Sequence, residues 1–197
     1  MNKLISIIGS GSVGLVSAVV FASKGYKVVG VDNDVDKVRA VNNGRCYLSE
    51  PGLDVLLRDV VSKGFLRATT DVLEAVKESD AVVIAVPTPV RDGIADLSYL
   101  RDALESVRRG LHRGLLVVIE STIPPGTTAG FAKSLLEESG LRVEEDFYLA
   151  HVPERIASGR AVEELLNMPR VVGGVGLRST EKAVELYSRV NPKAFNY

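Results

Sequence analysis

Between Leu4 and Gly14 the chain reads Leu-Ile-Ser-Ile-Ile-Gly-Ser-Gly-Ser-Val-Gly, a short apolar run that passes directly into a G-x-G-x-x-G turn. An apolar helical stretch follows, and then a second apolar run, Val28-Val29-Gly30-Val31, that ends on the carboxylate of Asp32. Each part of this strand–turn–helix–strand unit suits a dinucleotide. Gly9 permits the tight turn out of the strand, Gly11 lets the backbone approach a pyrophosphate, and Gly14 lets the helix pack against the sheet. The free N–H groups at the start of the helix, at the positive end of its dipole, face the phosphates. Asp32, at the tip of the second strand, accepts hydrogen bonds from a ribose diol and repels a 2′-phosphate, which favours NAD over NADP.

The rest of the chain fits that start. Apolar runs alternate with helical patterns, as in βαβ units built on a parallel sheet. Strands are expected at Leu4–Ile8, Lys27–Val31, Phe65–Ala68, Ala81–Val86, Leu115–Ile119, Phe147–Ala150 and Val171–Gly173. Several are apolar at every position, as strands covered on both faces should be. Helical stripes run through Leu53, Leu56, Leu57, Val60 and Val61, through Leu97, Leu100, Leu104, Val107 and Leu111, and through Ala183, Leu186, Tyr187 and Val190. The expected fold is α/β: a Rossmann, doubly wound, mostly parallel sheet. One domain over 1–197 carries extra C-terminal strands and a helix, with no repeat or linker.

The bulk properties narrow the function. A net charge of −1 provides no broad basic field for nucleic acid or an anionic membrane. No apolar run approaches the ~18 residues of a membrane span. The single cysteine, Cys46, excludes an internal disulfide and suits a reducing, cytoplasmic setting. No metal is expected.

Ligands of doubly wound sheets bind beyond the carboxyl ends of the strands. Three loops leave such ends: Pro87-Thr88-Pro89, Glu120 through Thr128, and His151-Val152-Pro153-Glu154-Arg155. Their prolines stiffen the backbone that presents Thr88, Thr122 and Glu154. Thr122 falls where the nicotinamide half should lie. An enclosed Glu154 has the chemistry of a base for activating water. Simpler roles stand beside these. Glu154 can cap or pair with Arg155 or Arg160, Thr122 can bond to its own loop, and Arg155 can be a solvated charge. Cys46 is read as an inert loop thiol, His112 as a surface residue, and His151 as solvated or packed.

The combination of Gly9–Gly14, Asp32, Glu50-Pro51-Gly52-Leu53, Val86-Pro87-Thr88-Pro89, Ser121-Thr122-Ile123-Pro124-Pro125-Gly126-Thr127-Thr128 and Pro153-Glu154-Arg155 resembles the N-terminal domain of the UDP-glucose/GDP-mannose dehydrogenase family. The resemblance runs in order along essentially the whole chain. It implies oxidation of C6 of a nucleotide-linked sugar to a carboxylate with two NAD, through an enzyme-bound aldehyde and a thiohemiacetal. It implies pyrophosphate contact by Ser12 and Val13, and an adenosine ribose on Asp32 with Lys37 at the same end. It also implies cofactor contacts from Pro87, Thr88, Ser121 and Thr122, a water positioned by Thr122 and Glu154, and Glu154-Arg155-Ile156 facing the sugar nucleotide.

Members acting on UDP-glucose usually carry Pro-Glu-Phe-Leu where this chain has Pro-Glu-Arg, so it is more similar to members acting on UDP-N-acetylhexosamines. The family's cysteine nucleophile in Gly-Gly-x-Cys, its Lys-Asp pair and its central helix do not occur in these 197 residues. Gly173-Gly174 is followed by Val175-Gly176-Leu177. The resemblance therefore implies a chain that binds NAD, is inactive alone, and is a monomer or weak dimer where the parent is a homodimer or larger. Two alternatives remain at this stage: a non-catalytic NAD-binding or regulatory module, and another Rossmann dehydrogenase of the 3-hydroxyacyl or 6-phosphogluconate type.

Overall fold

The computed structural model of the chain describes residues 3–192. Asn196 and Tyr197, near which the resemblance places the start of a central helix, lie outside them. In chain order the elements are β1 (Leu4–Ile8), α1 (Ser12–Ser23), β2 (Lys27–Val31), α2 (Val35–Asn42), α3 (Leu53–Ser62), β3 (Leu66–Thr69), α4 (Val72–Glu78) and β4 (Ala81–Ile84). A short hairpin follows, β5 (Val90–Arg91) and β6 (Ile94–Ala95), and then α5 (Ser98–Gly110) and β7 (Leu116–Ile119). A π-helical turn over Thr128–Ala132 leads into α6 (Lys133–Glu137), β8 (Tyr148–His151), α7 (Ala161–Asn167), β9 (Gly173–Gly174) and α8 (Leu177–Ser188).

Seven strands form one sheet in the order β3-β2-β1-β4-β7-β8-β9. All neighbours are parallel except β9, which runs antiparallel to β8 through Ala150–Gly174 and His151–Gly173. The expected terminal strand is thus present as a two-residue edge shifted toward Gly174. Strand order reverses between β1 and β4, which opens a crevice beyond their carboxyl ends.

The apolar strands feed two cores at once. Ile5, Ile7, Val83 and Val118 point into the layer of α1, α3, α7 and α8. Their neighbours Ile8, Val82, Ile84, Val117 and Ile119 point into the layer of α4, α5 and α6. The period-2 alternation of side chains explains why no position in these strands can be charged. The polar exception, Ser6 in β1, is fully buried, and its hydroxyl is satisfied by the Ala75 carbonyl at 3.1 Å and the Ser79 hydroxyl at 2.7 Å. Helix α1 lacks a polar face: every residue from Gly14 to Ala22 is buried between the sheet and α3 and α7.

Candidate functional site

The glycine turn divides its three glycines between packing and access. Gly9 has φ +96°, and a Cβ there would stand 2.6 Å from the Ala85 carbonyl oxygen, so the turn crosses the end of β4 at backbone contact. A Cβ on Gly14 would fall 1.8 Å from the Gly9 carbonyl oxygen, which brings α1 hard against the turn. A Cβ on Gly11 would meet nothing within 4 Å. Two glycines close the fold and the third faces open space.

The start of α1 carries no side-chain cap, unlike the starts of α2 and α4. Asp34 caps α2 by accepting from Asp36 N and Lys37 N, and Asp71 caps α4 by accepting from Glu74 N. The cap of α1 is Gly11, with no side-chain bond and no acidic residue in the first turn. The first intrahelical bond is Leu15 N–H to the Gly11 carbonyl, at 3.0 Å, so the amides of Ser12, Val13 and Gly14 precede the ladder. Such an end is a ready anion site.

A cavity of about 300 Å³ adjoins this end. Gly11, Ser12 and Val13 form one side, Ala85 to Thr88 the second, and Glu120, Ser121, Thr122 and Glu154 the third. Thr122 is exposed in it, while the Thr88 hydroxyl is buried and lacks a hydrogen-bond partner among the described residues. Ser121 fastens two walls together. Its hydroxyl donates to the Val86 carbonyl at 2.8 Å and accepts from the Val86 amide at 3.0 Å. His151 Nε2 lies 3.2 Å from the Ser121 carbonyl, and burial pushes the imidazole's proton affinity down.

Asp32 is 9% exposed and is already bonded within the turn. Its Oδ2 accepts from Ser10 N at 2.7 Å, its Oδ1 accepts from Asp34 N at 3.0 Å, and Lys37 Nζ stands 3.6 Å from Oδ2. A dinucleotide fits what is present. Unpaired amides await a pyrophosphate, Gly11 leaves room for it, and a carboxylate lies at one end with an orphaned hydroxyl in the cavity at the other.

Glu154 is enclosed and caps backbone amides, as weighed in the sequence, but its ion-pair partner is neither Arg155 nor Arg160. It pairs with Arg170, with side chains 4% and 5% exposed, and its Oε1 accepts from the amides of Arg155 and Ile156 at 2.7 and 2.9 Å. The Arg155 guanidinium turns away to the Pro169 carbonyl, and Arg160 pairs with Glu164. Ile156 packs against the core rather than lining the cavity. Cys46 is half-buried, with its thiol 3.3 Å from the Leu48 carbonyl. His112 is partly buried at the opposite sheet edge, 3.1 Å from the Ser79 carbonyl.

Sequence reasoning did not single out Arg170, Glu120 or Tyr187. Glu120 is 2% exposed and accepts from the Ser17 hydroxyl at 2.9 Å and the Tyr187 hydroxyl at 2.7 Å. Burial raises its proton affinity, and the Arg170 charge opposes that rise. A carboxyl inside an otherwise apolar strand end was the available signal, because such a group must find partners. Glu50 was noted only as part of a motif. Its carboxylate accepts from Gly159 N at 2.9 Å and Ala161 N at 3.3 Å, which caps α7 from across the molecule.

This fold and this site define the dinucleotide-binding domain of an oxidoreductase. The chain belongs to the UDP-glucose/GDP-mannose dehydrogenase family, whose NAD binding domain matches residues 3–191. Its cofactor is NAD. The match excludes the 3-hydroxyacyl and 6-phosphogluconate alternatives. A UDP-N-acetyl-D-mannosamine dehydrogenase from Pyrococcus horikoshii is 43% identical over 183 residues, which are 93% of this chain and 44% of that protein. An NDP-N-acetyl-D-galactosaminuronic acid dehydrogenase from Ralstonia solanacearum is 39% identical over 193 residues, 94% of this chain and 45% of that one. The crystal structure of the corresponding enzyme from Methanosarcina mazei superposes with a TM-score of 0.91 at 42% identity, covering 96% of this chain and 42% of the other. The chain spans less than half the length of the curated relatives it matches. Among the described residues, no helix is long and apolar enough to cross a membrane.

Proposed function

We propose that this chain is the cofactor-binding part of an enzyme that oxidises C6 of a UDP-N-acetylhexosamine to the uronic acid with two NAD, with UDP-glucose as the next candidate. The observation that carries the reading is 43% identity to a UDP-N-acetyl-D-mannosamine dehydrogenase across 93% of the chain. Pro153-Glu154-Arg155, standing where members acting on UDP-glucose usually carry Pro-Glu-Phe-Leu, supports the choice of sugar.

NAD supplies the hydride acceptor when it is bound. The amides of Ser12 and Val13 hold its diphosphate, Gly11 admits it, and Asp32 with Lys37 takes the adenosine ribose. Val86, braced by Ser121, keeps Pro87 and Thr88 in position, and the Thr88 hydroxyl gains the partner it lacks. Thr122 and Glu154 flank the reacting end, where a positioned carboxylate orients water. Glu154 alone of the Glu154-Arg155-Ile156 segment is kept for the sugar-nucleotide side, because Arg155 is directed to the Pro169 carbonyl and Ile156 packs against the core.

The only thiol in these 197 residues, Cys46, bonds to its own loop and does not line the cavity, so this chain alone does not complete the oxidation. Calorimetric titration of the chain with NAD and then NADP tests the cofactor roles, and a preference for NADP would overturn the assignment of Asp32. Incubation with NAD and a panel of UDP-sugars, read by NADH absorbance, tests the rest. No turnover is expected, and sustained turnover by the pure chain would refute its insufficiency. Light scattering of a micromolar solution is expected to show a monomer or weak dimer.

A further inference from the structure

The loop between α2 and α3 carries a residue with no part in the reading so far. Tyr47 is 36% exposed, yet its hydroxyl reaches the glycine turn and donates to the Ser10 carbonyl at 2.7 Å. Ser10 in turn gives its amide to Asp32 Oδ2 at 2.7 Å, so one residue of the turn is held from both sides. The loop that carries Tyr47 is itself anchored. The Cys46 thiol bonds to the Leu48 carbonyl, and Glu50 is fastened to Gly159 and Ala161.

We propose that Tyr47 is a wall of the adenosine subsite which, with Asp32, selects an unphosphorylated ribose diol. The inference rests on the reading of Asp32 as the ribose acceptor. A phenol has one proton to donate, and Ser10 receives it, so the phenolic oxygen offers only lone pairs to a ligand. Burial and the nearby charge of Asp32 strengthen the phenol's hold on that proton. The Asp32 carboxylate is also acceptor-only. Lys37 is paired with Asp32, its Nζ 3.6 Å from Oδ2.

An acceptor-lined wall suits hydroxyl groups, which bring donors. It is hostile to a phosphate monoester, which brings only acceptors and further negative charge. Tyr47 also holds the turn in the geometry that aims Ser10 N at Asp32, so both acceptors are fixed before a ligand arrives.

Calorimetry of the 197-residue chain with NAD and NADP, for wild type, Tyr47→Phe and Asp32→Asn, tests this. Tyr47→Phe is expected to narrow the NAD-to-NADP affinity ratio by roughly three- to tenfold, the value of one hydrogen-bonding group. A tyrosine that only braces the loop would weaken both ligands equally, so an unchanged ratio overturns the proposal. Asp32→Asn separates the two levels. If NAD binding ignores that change, or wild type binds no NAD, the ribose reading itself falls. If Asp32→Asn weakens NAD while Tyr47→Phe leaves the ratio untouched, only the role of Tyr47 falls. A thermal melt of Tyr47→Phe confirms that this conservative, half-exposed substitution leaves the fold intact.

Discussion

Arg170 and Glu154 form a largely buried ion pair at the cavity wall, and among the described residues Arg170 is the cation that faces both Glu154 and the buried Glu120. The guanidinium also lies 5.6 Å from the Tyr187 ring, so helix α8, the loop after β8 and the end of β7 meet at one charge. The pair spans 16 residues of sequence.

Removing one member of such a pair leaves the other buried without compensation. Arg170→Met is expected to destabilise the chain by about 3–5 kcal/mol, whereas Arg170→Met combined with Glu154→Gln recovers much of that loss. Urea unfolding of both variants measures it. A loss below about 1 kcal/mol in the single variant would mean that the pair contributes as an exposed one does.

Gly14 and Gly11 of the turn should fail differently. Gly14→Ala places a methyl 1.8 Å from the Gly9 carbonyl, so α1 must shift, and unfolding or a loss of several kcal/mol is expected. Gly11 has φ −72° and open space around it, so Gly11→Ala should fold with nearly unchanged stability. Its methyl occupies the ground assigned to the diphosphate, and NAD affinity should fall by about tenfold or more. Melting curves and calorimetry on the same two proteins decide it. Equal effects of both substitutions on folding would contradict the division of roles.

Glu120 predicts the sign of a pH effect. Its proton affinity is raised in the folded chain, chiefly by burial, so the folded state binds more protons than the unfolded one above the ordinary carboxylate value of 4.5. Stability from this group is therefore present at low pH and is lost as pH rises from 4.5 through the raised folded value, at no more than about 1.4 kcal/mol per pH unit. His151 works in the opposite sense, because its folded value is depressed below 6.5 and it favours the fold at higher pH. The difference between wild type and Glu120→Gln cancels the histidine. Urea midpoints from pH 5 to 8 should show the variant gaining on wild type as pH rises, and a flat difference would contradict the raised value.

Much of this was legible locally. The first strand, the glycine turn, α1 and β2 follow from spacing alone, because the turn's geometry and the two apolar periods are properties of adjacent residues. The hairpin of β5 and β6 was missed, although its turn, Asp92-Gly93 with φ +51° and +78°, is a familiar two-residue hairpin signal between Val90-Arg91 and Ile94-Ala95. What could not be read was pairing at a distance. The partner of Glu154 was sought at Arg155 and Arg160, its neighbours in sequence, but backbone direction sends those side chains to Pro169 and Glu164. Arg170 gains its place only once β8 and α8 have packed. Tyr47 likewise reaches Ser10 only through the course of its loop.

The apolar character of α1 has a consequence for assembly. A helix with no hydrophilic flank cannot persist in water, so the amides that greet the diphosphate exist as a cluster only after both neighbouring layers have closed on it. Ligand capture should accordingly appear with global folding in a single event, with no partly ordered species able to recruit the nucleotide and be rescued by it.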